Sequence, residues 1–167
     1  RLLVLQEDIA DDVIEMLVGK ARELVVGDPA DPATDVGPLI DADAVTALEE
    51  WTAKMDREAK LLFCTRLGPA HARDTFFAPR IYRIERIDQL TRETFGPILH
   101  VVRYAAEDVD KVIDAINGLG YGLTLGIHSR VDSFADVVHA RLRVGNTYVN
   151  GNIIGAVVGV QPFGGEG

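Results

Sequence analysis

Apolar and polar positions along this chain follow two alternating rhythms. Short continuous apolar runs suit buried strands, and between them apolar residues recur at spacings of three and four, the period of a helix with one buried stripe. Arg1 to Leu5 reads as the first strand. Asp8 then caps a helix whose Ile9, Val13, Met16, Leu17, Ala21 and Leu24 form one stripe, expected to cover a face of a sheet. Asp41 opens a second helix, with Val45, Leu48, Trp51, Thr52 and Met55 inward and Glu49, Glu50, Lys54 and Glu58 toward water. Lys60–Cys64 and Phe76–Ile84 are further strands, separated by a turn at Gly68-Pro69; Pro79 cannot donate to a ladder and puts the second run near an edge or a strand start. Ile98–Tyr104 is a strand, and Asp108–Asn117 a helix with Val109, Val112, Ile113 and Ile116 inward, stopped by Gly118. A strand at Leu123–His128, a helix carrying Phe134, Val137, Val138 and Leu142, and a strand at Thr147–Val149 complete the pattern.

Strand and helix alternate throughout, and the strands are apolar on both sides. That is the signature of an α/β fold with a mostly parallel open sheet and helices on both faces. The stretch Gly27–Pro38 is dense in Pro, Gly and Asp and cannot continue a helix, so it is a structured surface connection. With 167 residues the chain is long enough for one globular domain, residues 1–167, burying about two thirds of its unfolded surface. No internal repeat breaks that count.

A net charge of −9, with no Lys/Arg-rich block, argues against a nucleic-acid or anionic-membrane partner, which would need a positive patch. No run approaches the roughly 20 apolar residues needed to cross a bilayer, and the first residues are too short for a signal-peptide core. A lone cysteine excludes an internal disulfide and fits a reducing compartment, so the expected location is the cytoplasm. Cys64 lies in an apolar strand without a nearby cation, which suits a small core residue better than a nucleophile. The four histidines show no metal-ligand spacing, and neither G-x-G-x-x-G nor a P-loop occurs, so no metal site and no phosphate-cradling loop is expected within these residues.

Two stretches carry candidate chemistry. In Arg92-Glu93-Thr94-Phe95-Gly96-Pro97, glycine permits an unusual backbone angle and proline fixes the next, so Glu93 and Phe95 are presented from a stiff turn feeding the strand at Ile98. A carboxylate can accept hydrogen bonds from both hydroxyls of a ribose, and an aromatic ring can lie against a flat heterocycle. A solvated acid beside a core phenylalanine would fit the same six residues. The second stretch, Gly145 to Gly165, is a strand followed by a loop of glycines and small residues in which backbone N–H groups can approach an anion. Val157, Val158 and Val160 are out of place in a free linker, and Gln161-Pro162-Phe163 again presents an aromatic from stiffened backbone.

Glu93-Thr94-Phe95-Gly96-Pro97 resembles the E-x-F-G-P motif of aldehyde dehydrogenases, and Gly27–Pro38 resembles their G-D-P…D-x-G-P segment. Tyr121-Gly122-Leu123-Thr124 and Pro162-Phe163-Gly164-Gly165 match the same superfamily. The run G-A-V-V-G-V-Q-P-F-G-G-E-G is similar to the bacterial Δ1-pyrroline-5-carboxylate (glutamate semialdehyde) dehydrogenases, especially the dehydrogenase module of bifunctional proline utilisation proteins. Gly151 departs from that pattern, in which a basic residue commonly lies between the two asparagines. The resemblance covers the whole chain and implies several roles. Glu93 would bind the nicotinamide ribose of NAD and Phe95 lie near the nicotinamide ring. Gly155 and Ala156 would bind the substrate carboxylate through backbone N–H groups, and Phe163 would help form the aldehyde pocket.

It also implies that no catalytic residue lies in this chain. In the family the catalytic cysteine precedes the first strand read here, the general-base glutamate and the dinucleotide-binding domain lie further upstream, and a strand tail follows. The expectation is the C-terminal part of a catalytic domain, inactive alone, from an enzyme that oxidises glutamate semialdehyde with NAD. Its partners would be a small-molecule aldehyde and either further copies of itself or a larger bifunctional chain. Another aldehyde substrate, or a non-catalytic assembly or binding module, remains open.

Overall fold

A computed structural model of the chain describes residues 1–71, 75–154, 160 and 164–165. The opening apolar run becomes strand β1 (Leu2–Gln6), followed without a break by helix α1 (Glu7–Ala21). Helix α2 (Ala42–Glu58), strand β2 (Lys60–Cys64), strand β3 (Arg80–Arg83) and strand β4 (Ile98–Tyr104) come next. These elements belong to a unit spanning Arg1–Ala106. Its sheet has the order β1-β4-β3-β2, with β1 and β3 parallel to β4 and only β2 antiparallel to its neighbour, so the mostly parallel sheet is borne out.

Alternation along the strands assigns a helix to each face. Leu5, Ile81 and Val101 are buried with Ala10 of α1, and Leu3, Val13, Ile14, Leu17, Val18 and Leu99 pack around them. The neighbouring strand positions point the other way, where Tyr82 reaches Asp56 and His100 reaches Trp51, both on α2. Helix α2 matches its sequence reading closely: Asp41 caps it by accepting a 2.8 Å bond from the Ala44 amide, and Leu48, Trp51, Thr52 and Met55 are buried.

Helix α1 differs. Its cap position is Gln6, with no side-chain cap bond, and Asp8 sits inside the first turn accepting from Gln6 Nε2. Ile9 and Met16 are 53% and 68% exposed. The buried stripe runs instead through Ala10, where a small side chain lets the helix approach the sheet. Strand β3 is shorter than the apolar run Phe76–Ile84, because Pro79 delays the ladder until Arg80. Cys64, opposite Arg80 at the end of β2, is half-buried rather than a core residue.

The second unit, Glu107–Gly167, contains helix α3 (Val109–Asn117), strand β5 (Thr124–Ile127), helix α4 (Asp132–Arg141) and strand β6 (Asn146–Val149), with β5 parallel to β6. Ile113, Ile127, Ala135, Val138 and Leu142 form its core. Val137, expected inward, is 49% exposed, and Ala135 takes the inward place. The Asn117 side chain joins the ends of the two helices, donating to the Arg141 carbonyl and accepting from the Arg143 amide at 3.0 Å each.

Candidate functional site

The segment holding Glu93 and Phe95 is an irregular loop between a short 3-10 turn (Ile87–Gln89) and β4. Its exit is stiff for a visible reason. Gly96 has φ +148°, a conformation that L side chains rarely adopt, and a Cβ there would fall 2.9 Å from Leu48 Cδ2. The Gly96 carbonyl accepts from the Ile98 amide at 2.9 Å and from the Arg1 guanidinium, and the Pro97 carbonyl accepts from the Arg80 amide at 2.9 Å.

The entrance is held by α2. Arg92 donates to the Ala47 carbonyl at 3.1 Å, with its guanidinium 5.7 Å from the Trp51 ring centroid. Lys54 lies 4.9 Å from the same ring and donates to the Gln89 carbonyl at 3.0 Å and to Thr91 Oγ1 at 3.3 Å. Between these anchors Glu93 and Phe95 both face outward, Phe95 with 75% of its surface exposed. Hydrophobic burial alone would turn a free phenylalanine inward. Here the backbone is fixed at both ends and the ring is held out, with a carboxylate two residues away. That donor set fits a nucleoside: acceptor oxygens for paired hydroxyls, and a ring face for a heterocycle.

Beneath the loop, Trp51 Nε1 donates to His100 Nε2 at 3.0 Å, and His100 Nδ1 lies 3.1 Å from the Arg1 carbonyl. Because Nε2 accepts, the proton must sit on Nδ1, which donates to that carbonyl. Burial pushes the His100 pKa down to about 4, so the ring is neutral. Among the histidines, sequence reasoning considered only metal-ligand spacing. It missed His100, Arg92, Lys54 and Arg1 as supports of the loop and gave Trp51 a packing role alone. The available signal was that Arg92 and His100 flank the motif on either side.

In the second unit, Gly155, Ala156 and Phe163 lie outside the described residues. The approaches to them are described. Asn150 leaves β6 with φ 52°, and its side chain bonds the Ser129 amide and carbonyl at 3.0 and 2.8 Å. Asn152 Oδ1 then accepts from the Ile154 amide at 2.9 Å, an Asx turn at the mouth of the loop. On its far side Gly165 comes so close that a Cβ there would be 2.6 Å from the Gly122 carbonyl oxygen. Two separated sequence motifs, Tyr121–Thr124 and the Gly164-Gly165 pair, are therefore neighbours.

A separate concavity of about 830 Å³ in the first unit is lined by Gly27, Asp28, Pro38, His71 and Phe76 among others, and neither Glu93 nor Phe95 borders it. Among the described residues no group of three or more His, Cys, Asp or Glu could hold a metal, and no helix is long and apolar enough to cross a membrane.

Comparison with known proteins places these features. Residues 1–167 match the aldehyde dehydrogenase family. The bifunctional protein PutA of Klebsiella aerogenes is 44% identical over 172 residues, covering 100% of this chain and 13% of that protein. A mutant form of proline utilization A from Bradyrhizobium japonicum superposes with a TM-score of 0.94 at 53% identity, over 100% of this chain and 17% of the other. The 1-pyrroline-5-carboxylate dehydrogenase from Thermus, solved with bound NAD, superposes with a TM-score of 0.87 at 32% identity, over 98% of this chain and 31% of the other. The chain thus spans 13% to 31% of the length of these proteins.

Proposed function

This chain belongs to the aldehyde dehydrogenase family, and from that premise we propose that residues 1–167 are the C-terminal part of the catalytic domain of an NAD-dependent enzyme that oxidises L-glutamate γ-semialdehyde (Δ1-pyrroline-5-carboxylate) to glutamate in proline catabolism. The reading is carried by whole-chain similarity to proteins named for proline utilization and 1-pyrroline-5-carboxylate dehydrogenation. The anchored, outward-facing Glu93 and Phe95 agree with it.

The residues divide the work by chemistry. Glu93 accepts the two hydroxyls of the nicotinamide ribose, and Phe95 lies against the nicotinamide, so that a fixed loop orients the cofactor. NAD, when bound, supplies the hydride acceptor. The Gly155 and Ala156 amides hold the substrate carboxylate, and Phe163 helps form the aldehyde pocket. The attacking thiolate comes from a cysteine outside these residues; Cys64, whose Sγ donates to the carbonyl of the next residue, Thr65, is not that group. The chain by itself has no activity. The complete enzyme works in the cytoplasm, as a homo-oligomer or as part of a larger bifunctional chain.

The test is made in the complete enzyme with two substitutions. Glu93→Gln keeps the fold but slows single-turnover hydride transfer, because an amide oxygen accepts less strongly than a carboxylate; an unchanged rate would make Glu93 a surface acid. Gly155→Val lowers kcat/KM for glutamate semialdehyde by about tenfold or more, one charge-assisted bond's worth, while small uncharged aldehydes lose much less. Equal losses for both substrate types would remove the carboxylate-anchor assignment.

A further inference from the structure

Glu93 and Phe95 are held through the residues that bracket them, Arg92 before and Gly96 after. The Gly96 carbonyl, directly after Phe95, accepts from the Arg1 guanidinium. Arg1 is in turn fixed through its own carbonyl, which accepts from both the His100 backbone amide and His100 Nδ1 at 3.1 Å each. His100 is oriented by the Trp51 indole, and the face of that indole receives Arg92, directly before Glu93. The chain of contacts leaves the loop at one end, crosses the buried face of the sheet and returns to the loop at the other. His100 is 1% exposed and Trp51 2%, so an aliphatic pair would serve packing as well. What such a pair could not do is add the second, side-chain bond to the Arg1 carbonyl, beyond the backbone bond that any residue at position 100 would make.

We infer that Trp51 and His100 are positioning residues for cofactor binding, setting the geometry of Glu93 and Phe95 through the hydrogen-bonded path Trp51–His100–Arg1–Gly96 and the Arg92 contact. This rests on the proposed role of the loop in binding NAD. Each link is directional. Trp51 donates and cannot accept, so His100 must present Nε2 as acceptor and Nδ1 as donor, and Arg1 is gripped in a single register. A loop so defined loses little freedom on binding its ligand.

The complete enzyme separates this from plain core packing. Trp51→Phe keeps an aromatic face for Arg92 but removes the donor. His100→Leu removes both ring bonds, and His100→Asn restores a donor toward the Arg1 carbonyl. NAD affinity is measured by titration calorimetry, and KM for glutamate semialdehyde by initial rates. The expected result is an NAD Kd raised about tenfold in Trp51→Phe and His100→Leu, one hydrogen bond's worth, with KM for the aldehyde within about twofold of the parent and most of the loss recovered in His100→Asn. Should His100→Leu fail to fold, Trp51→Phe and His100→Asn still decide the matter.

Glu93→Gln, measured alongside, distinguishes the two levels of the argument. If it weakens NAD while Trp51→Phe does not, the positioning role is overturned and the cofactor loop stands. If neither weakens NAD, both fall. If Trp51→Phe weakens NAD and Glu93→Gln does not, the positioning role stands and acts through Phe95. Equal weakening toward NAD and aldehyde in Trp51→Phe means general structural support and overturns the inference.

Discussion

In the first unit the segment with the candidate contacts is fastened by side chains reaching from far along the sequence: Arg1, Trp51 through Arg92, and Leu48 against Gly96. In the second unit the segments around the C-terminal motif meet backbone against backbone, with Gly165 on Gly122 and Gly122 on Arg143. The two solutions fail differently. A side-chain contact can be relieved by trimming the neighbour, whereas a carbonyl in the way of a new methyl group cannot be trimmed.

That difference sets the largest expected effect. Gly96→Ala places a Cβ against Leu48 at a positive φ, and Gly122→Ala places one 2.7 Å from the Arg143 carbonyl oxygen. Each should cost about 2–5 kcal/mol, from overpacking together with, at Gly96, backbone strain. Adding Leu48→Ala should recover part of the Gly96→Ala loss, a favourable coupling of about 1–3 kcal/mol in a double-mutant cycle read by urea denaturation. No comparable side-chain truncation should rescue Gly122→Ala. Recovery of Gly122→Ala by Val144→Ala, whose Cγ1 would lie 3.0 Å from the new Cβ, would erase the contrast.

The same contrast explains what could be read from the sequence. Local rules located most elements: the Asp41 cap, the inward face of α2, the Gly118 stop, and Gly96 as a position needing glycine. They failed where tertiary packing chose among local options. On α1 the largest apolar residues suggested a stripe through Ile9 and Met16, but the approach to the sheet is centred on Ala10, roughly 100° around the helix from Ile9. On α4, Val137 lost its inward place to Ala135 for the same reason. The motif exposed Glu93 and Phe95 as candidates, and Arg92 and His100 flank it, yet the groups that complete the support, Ala47 and Trp51 on α2 and Arg1, are distant in sequence and have no local signature.

His100 offers a second way to sharpen the comparison, because it is buried, whereas His128 and His139 of the second unit are exposed. Burial lowers its pKa from 6.5 to about 4 in the fold. Above pH 6.5 the ring is neutral in both folded and unfolded chains and its stabilising contribution is complete. As pH falls from 6.5 toward 4 the unfolded chain binds the proton first and stability is lost, by on the order of 3 kcal/mol in total. Protonation would also turn Nε2 into a donor facing the Trp51 donor. Trp51 is the single tryptophan of the chain, so its fluorescence in urea titrations between pH 7 and 4 reads this unit directly. His100→Asn should flatten that limb of the pH profile, leaving the slope due to carboxylates. An unchanged slope would mean that His100 is accessible to protons in the fold.

The smallest effect concerns a tie in the first unit that has nothing to do with the loop. Tyr82 is fully buried, and its hydroxyl donates to Asp56 Oδ1 at 2.6 Å and joins β3 to α2. Burial, reinforced by the Asp56 bond, pushes the Tyr82 pKa up to about 12. The folded chain therefore resists ionisation, and this contribution fades as pH rises from 10 toward 12. Tyr82→Phe retains the ring and leaves Asp56, an exposed carboxylate, free to bind water, while the half-buried Arg80 loses its contact with the hydroxyl. The expected loss is about 1 kcal/mol in urea denaturation, well below that of Gly96→Ala. NAD affinity in the complete enzyme should not change, since Tyr82 lies off the path from Trp51 to Gly96. A loss of several kcal/mol, or weakened NAD binding, would mean that the whole α2 face of the sheet acts as one network, and the special standing of Trp51 and His100 within it would disappear.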